Sequence, residues 1–291
     1  MKEFVSDTLW PITGPIVFIQ RNFITMLVLS IIGYMILTTD KEDLKQPNLQ
    51  TITLSGAIMN SEQVLEAINK AKIDKNIKGV LFKVNSPGGA VAPSVEIAYA
   101  IKELNSIKPV VAYASGTMAS GSYYASIWAS KIISNPGSMI GSIGVIMQSM
   151  DASELMANIG IKTQNIKIGT YKEVGTPTRE WSQVEKEELN KVIKNTYDMF
   201  VKDVAGARGL KQENHKEFAD AHIFTASQAK EVGLIDEVAT ISKAKEMVIK
   251  LSKVKNPIWQ KEDKVDKFID KVINSSIKSI NNQMNSGLMA Y

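Results

Sequence analysis

Residues 79–113, GVLFKVNSPGGAVAPSVEIAYAIKELNSIKPVVAY, decide the fold. GVLFKV (79–84) is a short apolar run of strand length, and NSPGG (85–89) ends it. From Ser94 to Leu104 the apolar residues Val95, Ala98 and Ile101, with Ala100, recur at helical spacing. PVVAY (109–113) is a second apolar strand. Strand, helix and strand in that order form a parallel crossover unit. The alternation continues outward. TITL (51–54) reads as a short strand. SEQVLEAINKAK (61–72) reads as a helix with Val64, Leu65, Ile68 and Ala71 inward and Asn60 as N-cap. Beyond the crossover, 182–205 and 226–231 read as helices and LIDEV (234–238) as a late edge strand. The pattern predicts an α/β layered fold on a parallel sheet.

Composition narrows the chemistry. The 291 residues are 44% hydrophobic and 22% charged, which excludes a disordered tail, a collagen-like repeat and a disulfide mini-protein. No cysteine is present, so thiol catalysis, Cys-ligated zinc, iron–sulfur clusters and disulfides go together. His215 and His222 are too few for a multi-histidine metal site. A net charge of +4 makes no case for nucleic-acid binding.

Asn22 to Thr39, NFITMLVLSIIGYMILTT, is uncharged, with Arg21 before it and Asp40-Lys41-Glu42-Asp43 after. At helical rise it extends about 27 Å, close to a bilayer's hydrocarbon core. A buried core helix and a cleaved signal peptide are the alternatives. Few core helices run so long without a charge, and no small-x-small cleavage site follows. The reading is a transmembrane helix with the amino terminus inside the cell, on a weak charge bias. The chain then divides into an N-terminal segment (1–21), the membrane helix (22–39), a polar linker (40–50), a folded domain (51–252) and a tail (253–291). In the tail Val265, Phe268, Ile269, Val272, Ile273, Ile277, Ile280 and Met284 form one apolar stripe, which fits packing on the same domain, on another subunit or on a membrane surface.

Chemistry is expected at the carboxyl ends of the strands, and two are unusual. Gly88-Gly89 in NSPGG present bare backbone amides, or form an ordinary turn. Gly116-Thr117-Met118-Ala119-Ser120-Gly121-Ser122-Tyr123-Tyr124 sets a hydroxyl among small residues before a helix, where an attacked carbonyl would meet amide donors. Tight strand–helix packing would need the same small residues. Neither histidine stands in a catalytic context. A lysine is the other candidate base, provided burial lowers its pKa toward neutrality. Lys172, in IKIGTYKEVGTP, is set apart by flanking Gly169 and Gly175.

Six blocks resemble, in order and spacing, the bacterial signal peptide peptidase A family: VNSPGG (84–89), MASGSYY (118–124), GSIGV (141–145), GTYKEVGTP (169–177), VAGARGL (204–210) and HIFTASQAKEVGLIDEV (222–238). The resemblance covers residues 50–250. It implies a spiral of ββα units, shared with ClpP and crotonases, and oligomers around a chamber. It implies a membrane-anchored serine endopeptidase with Ser120 as nucleophile and Lys172 as general base. Backbone amides of Gly88 or Gly89 and of Gly121 would form the oxyanion hole, with no metal or cofactor. Ser142 or Ser138 would hold the lysine. The implied substrates are signal peptide remnants, cleaved outside the cytoplasm at the inner membrane. Two positions depart from the family: Ser122 stands where a second glycine is usual, and no acid occurs near Ser130. Ser122 and Ser115 are therefore rival nucleophiles. A non-catalytic scaffold of the same fold and a crotonase-like acyl-CoA enzyme are the alternative functions.

Overall fold

The computed structural model describes residues 22–30 and 46–261. They belong to two compact units that divide between Gln46 and Pro47. In the first unit residues 22–30 are helical, and Phe23, Ile24, Met26, Leu27, Val28 and Leu29 are exposed. The remainder of the expected membrane span, 31–39, lies outside the described residues. No described helix is long and apolar enough to cross a membrane.

The second unit opens with β1 (Leu49–Ser55), α1 (Glu62–Ile73), β2 (Gly79–Ser86), α2 (Val91–Ile107) and β3 (Val110–Ala119). There follow α3 (Gly121–Tyr124), β4 (Lys131–Ser134), β5 (Met139–Gly141), α4 (Ser153–Asn158) and α5 (Gln183–Arg208). The last elements are α6 (His215–Phe218), β6 (Ile223–Thr225), α7 (Ala226–Glu231), β7 (Glu237–Val238) and α8 (Ile241–Ser252). Strands β1, β2, β3, β4 and β7 lie side by side in that order, all parallel; β5 joins the far end of β3 and pairs antiparallel with β6.

Both faces of the sheet are covered, which is why its central strands are apolar at nearly every position. Val80, Phe82 and Val84 of β2 enter the larger core with residues of α1, α2 and α5, and Leu81 enters the smaller one beneath α8. β3 alternates likewise, Val110, Ala112 and Ala114 against Val111 and Tyr113. Each fully buried Val, Leu or Phe side chain among them contributes about 1.5–3 kcal/mol. Helix α8 is an element that the sequence reading did not anticipate. Its Ala244 and Val248 are buried against β2 and β3. Gly79 lets it approach, for a Cβ there would stand 2.9 Å from Ser252 Cβ.

Two local expectations are corrected. The residue before α1 is Ser61, not Asn60, and its side chain makes no capping bond. β3 runs on to Ala119, well past Tyr113, because it changes neighbours midway. Val111–Ala114 pair with β4, whereas Thr117–Ala119 pair with β5. Opposite β2 the register moves from Val84↔Ala114 to Ser86↔Met118, so β3 carries two extra residues there. Such a bulge bends the strand. Gly116 sits in it because a Cβ would meet Asn85 Oδ1 at 2.4 Å, and that oxygen accepts the Thr117 N–H at 3.0 Å. The long α5 starts on a capping box, Ser182 with Glu185, and ends at Gly209 with φ of 67°. Beyond α8, the Leu49 N–H donates to the Ile258 carbonyl and the Gln260 N–H to the Leu49 carbonyl, so 258–260 line the start of β1. The amphipathic stripe at 265–284 lies outside the described residues.

Candidate active site

The bent β3 leads into Ser120, whose backbone takes φ 52° and ψ −125° between strand and helix. Such a conformation is costly for a residue with a Cβ and persists only where neighbours enforce it. Here they do. The Ser120 N–H donates to the Gly141 carbonyl at 2.7 Å, and the Ser120 carbonyl accepts the Tyr124 N–H at 3.0 Å. The result is a sharp elbow with a half-exposed hydroxyl at the mouth of a cleft.

Against the elbow lies the turn that follows β2. Gly88 has φ 95°, and a Cβ on it would stand 2.7 Å from Gly121 N and 2.8 Å from Ser120 Cβ. Gly89 is as confined, its Cβ position falling 2.2 Å from the Ile58 carbonyl oxygen. The turn is held from below: the Ile58 N–H donates to the Gly88 carbonyl and the Ala90 N–H to the Ile58 carbonyl. Its two glycine amides differ. That of Gly88 donates to Ser86 Oγ at 3.2 Å, while that of Gly89 has no acceptor among the described residues. Gly121 is the first residue of α3, so its N–H also lacks an intrahelical partner. A Cβ on Gly121 would lie 3.5 Å from Gly89 N, which brings the two uncommitted amides together beside Ser120. Preorganised donors of this kind suit an oxygen on which negative charge develops.

The cleft beyond Ser120 is apolar. Val91 and Val95 of α2, Tyr124 of α3, Val145, and Met199 and Phe200 of α5 form its walls. Tyr124 meets Phe200 edge to face, with ring centroids 4.8 Å apart, and its hydroxyl donates to the Asp203 carboxylate. Burial and that carboxylate push the Tyr124 phenol up, so it stays a neutral donor. The sequence reading missed Asp203. Its one cue was an acid three residues after Phe200, on the face of α5 that carries Met199.

The other sequence candidates fall in distinct places. Ser122 is fully buried, with Oγ 2.7 Å from the Ser86 carbonyl oxygen, and Ser115 Oγ donates to the Val84 carbonyl at 3.1 Å. Ser138 Oγ is buried and donates to the Ala114 carbonyl, whereas Ser142 is half-exposed and follows Gly141, whose carbonyl accepts the Ser120 N–H. His222 serves through its backbone carbonyl, which accepts the Ser142 N–H, and His215 packs near Tyr197. Neither histidine lines the cleft. Among the described residues no cluster of His, Asp and Glu is placed to hold a metal ion.

Lys172 is exposed, in a turn where its own N–H donates to the Gly169 carbonyl and the Val174 N–H to the Tyr171 carbonyl. It is not part of the cleft wall, and no hydrogen bond joins its side chain to Ser120. The turn belongs to an arm, residues 145–182, that is tied to the start of α5. Glu173 accepts from Lys167 and Arg179, and Arg179 makes two bonds, 2.8 and 2.7 Å, to Glu185. The Arg179 guanidinium holds the Glu185 carboxyl down at about 2. Ile146, Met150, Leu155, Ile159, Ile166 and Ile168 of the arm are exposed.

The model of peptidase family S49 matches residues 102–255, just over half of the chain and inclusive of the elbow and the arm. The chain belongs to peptidase family S49. It is 44% identical over 184 residues to a protein classed as a protease in Methanocaldococcus jannaschii, which covers 63% of this chain and 59% of that one. A Synechocystis protein classed as a protease is 36% identical over 69% of this chain and 73% of its own. A chain classed as a signal peptide peptidase in Enterococcus faecium is 36% identical over 62% and 52%. This S49 chain thus spans less than two thirds of the methanogen and enterococcal proteins. The turn at 84–89 precedes the matched region of the family model, so its place beside the elbow is a finding of the tertiary structure.

Proposed function

We propose that this S49 chain is a membrane-anchored serine endopeptidase with Ser120 as nucleophile and Lys172 as general base. One observation carries the reading: the enforced elbow at Ser120, with the amides of Gly89 and Gly121, which have no acceptor among the described residues, beside it. Ser120 Oγ attacks a peptide carbonyl, the two amides hold the oxyanion, and Gly88 shapes the turn that presents Gly89. The Lys172 amine, once a neighbouring copy takes it out of solvent, accepts the hydroxyl proton and returns it to the leaving amine; water then hydrolyses the acyl-enzyme with the same base. The apolar cleft suits an apolar side chain of the substrate, in keeping with signal peptide remnants and other membrane-associated peptides.

The exposed position of Lys172 and the apolar surface of its arm favour a homo-oligomer in which the lysine reaches Ser120 of a neighbouring copy. A spiral of ββα units accords with the mostly parallel sheet. The exposed apolar helix at 22–30 accords with a membrane anchor and a domain held outside the cytoplasm at the inner membrane. Mixing two inactive variants tests the reading. Ser120→Ala and Lys172→Ala chains, each inert with a fluorogenic peptide amide, should regain part of the activity when co-assembled. Turnover by Ser120→Ala alone overturns the nucleophile, and inert mixed oligomers overturn the sharing between copies.

A further inference from the structure

Ser122 stands where the family pattern has glycine, and nothing in the reaction above uses it. Its side chain is fully buried. Oγ lies 2.7 Å from the Ser86 carbonyl oxygen and 2.9 Å from the Ala119 carbonyl oxygen, and it accepts the Ala119 N–H at 2.9 Å. A hydroxyl has one proton and two lone pairs. It can donate to the nearer carbonyl, that of Ser86, while accepting from Ala119. Those partners belong to different halves of the site. Ser86 begins the turn that carries Gly88 and Gly89, and its own Oγ accepts the Gly88 N–H. Ala119 immediately precedes Ser120.

We infer that Ser122 is a positioning residue, its buried hydroxyl holding the amide-bearing turn at 86–89 in register with the Ser120 elbow. The inference rests on the reading of Ser120 as nucleophile. Its chemistry excludes Ser122 as a rival, because the hydroxyl is enclosed and both of its functions are committed to the backbone. Removing the hydroxyl strands a buried amide and loosens the turn, and a shift of a few tenths of an ångström takes the Gly89 amide away from the oxyanion. Where glycine replaces serine, the vacated space is about that of a water, which can make the same two bonds.

The test uses the full-length protein in detergent, a fluorogenic peptide amide and a fluorophosphonate that labels reactive serines. Ser122→Ala should unfold within a few degrees of the wild type, keep KM within about twofold, and lower kcat and the labelling rate about 10- to 100-fold, less than the roughly 100- to 1000-fold of outright loss of an oxyanion donor because the amide is displaced and not removed. Ser122→Gly should regain most of that loss. If Ser122→Ala does not fold, Ser122→Cys, which keeps the volume and a weak donor, takes its place, with kcat between the two. Wild-type kcat in a folded Ala or Cys variant would overturn the inference, as would a Gly variant as slow as Ala. Ser120→Ala, run in parallel, reads the nucleophile separately: labelling retained there removes that assignment and the positioning role with it.

Discussion

Gly88 and Ser120, far apart in sequence, lie so close that a Cβ on the glycine would stand 2.8 Å from the Cβ of the serine. The pair fixes how near the amide-bearing turn comes to the Ser120 elbow. Gly88→Ala adds a methyl 2.7 Å from Gly121 N and imposes an L side chain at φ 95°. Backbone cannot give way as a flexible side chain would. A loss of about 3 kcal/mol in urea unfolding is expected, together with loss of fluorophosphonate labelling at Ser120. Wild-type labelling in this variant would separate the turn from the site.

Lys172→Arg keeps a cation and a long side chain but substitutes a group that stays protonated at any usable pH. Peptide turnover should fall by at least about 100-fold, in the range general-base loss produces. Steady-state kinetics on the purified full-length protein would check this, and turnover within about tenfold of wild type would remove Lys172 as the base.

Met199 is the most adaptable wall of the cleft, and Phe200 behind it is locked against Tyr124. Met199→Ala should enlarge the space without breaking the aromatic pair. The kcat/KM ratio for peptide amides with Phe over Ala before the scissile bond should rise about tenfold. An unchanged ratio would mean that this cleft does not read that side chain.

Asp236 ties three elements together. Its carboxylate accepts from the Ile132 N–H at 2.8 Å, from Lys131 at 2.9 Å and from Arg208 at 3.1 Å. Burial opposes its charge, but these donors outweigh burial and hold its carboxyl below the usual range. A carboxyl lowered by folding stabilises the protein above its unfolded value of about 3.9 and loses that contribution as pH falls through the lower folded value. Asp236→Asn should therefore cost about 2 kcal/mol at pH 7 and progressively less below about pH 4. Urea unfolding across pH 2–7 would show the two curves converge in acid; parallel curves would contradict it.

The segment after α8 makes a boundary testable. Trp259 packs in the smaller core beside the fully buried Leu49, and Lys245 lies over its ring. A chain ending at Asn256 should be about 2 kcal/mol less stable than one ending at Lys261. Equal stability of the two would show that the pairing of 258–260 with β1 adds nothing.

Much of this molecule is legible along the chain because its signals are local. Apolar runs of strand length at 79–84 and 109–113, helical spacing between them, and the helix over 182–205 each depend on neighbours within a few residues. The same holds for the blocks around Ser120 and Lys172, which carry family membership. What sequence could not supply depends on distant contacts. That β3 bends at Gly116 follows from Asn85 lying across it. That the Gly89 amide, without an acceptor among the described residues, lies beside the Gly121 amide follows from the elbow at 120–121 closing on the turn at 86–89. Ser122, as a sequence letter, was a rival nucleophile; packing buries it beneath the turn and spends its hydroxyl on the backbone. Lys172 shows the limit from the other side, for its residue type and context mark it, yet its own chain leaves it in solvent. Residue type and spacing determine which groups are present, and only the packed backbone decides which amide, hydroxyl or amine is left without a partner and so free to react.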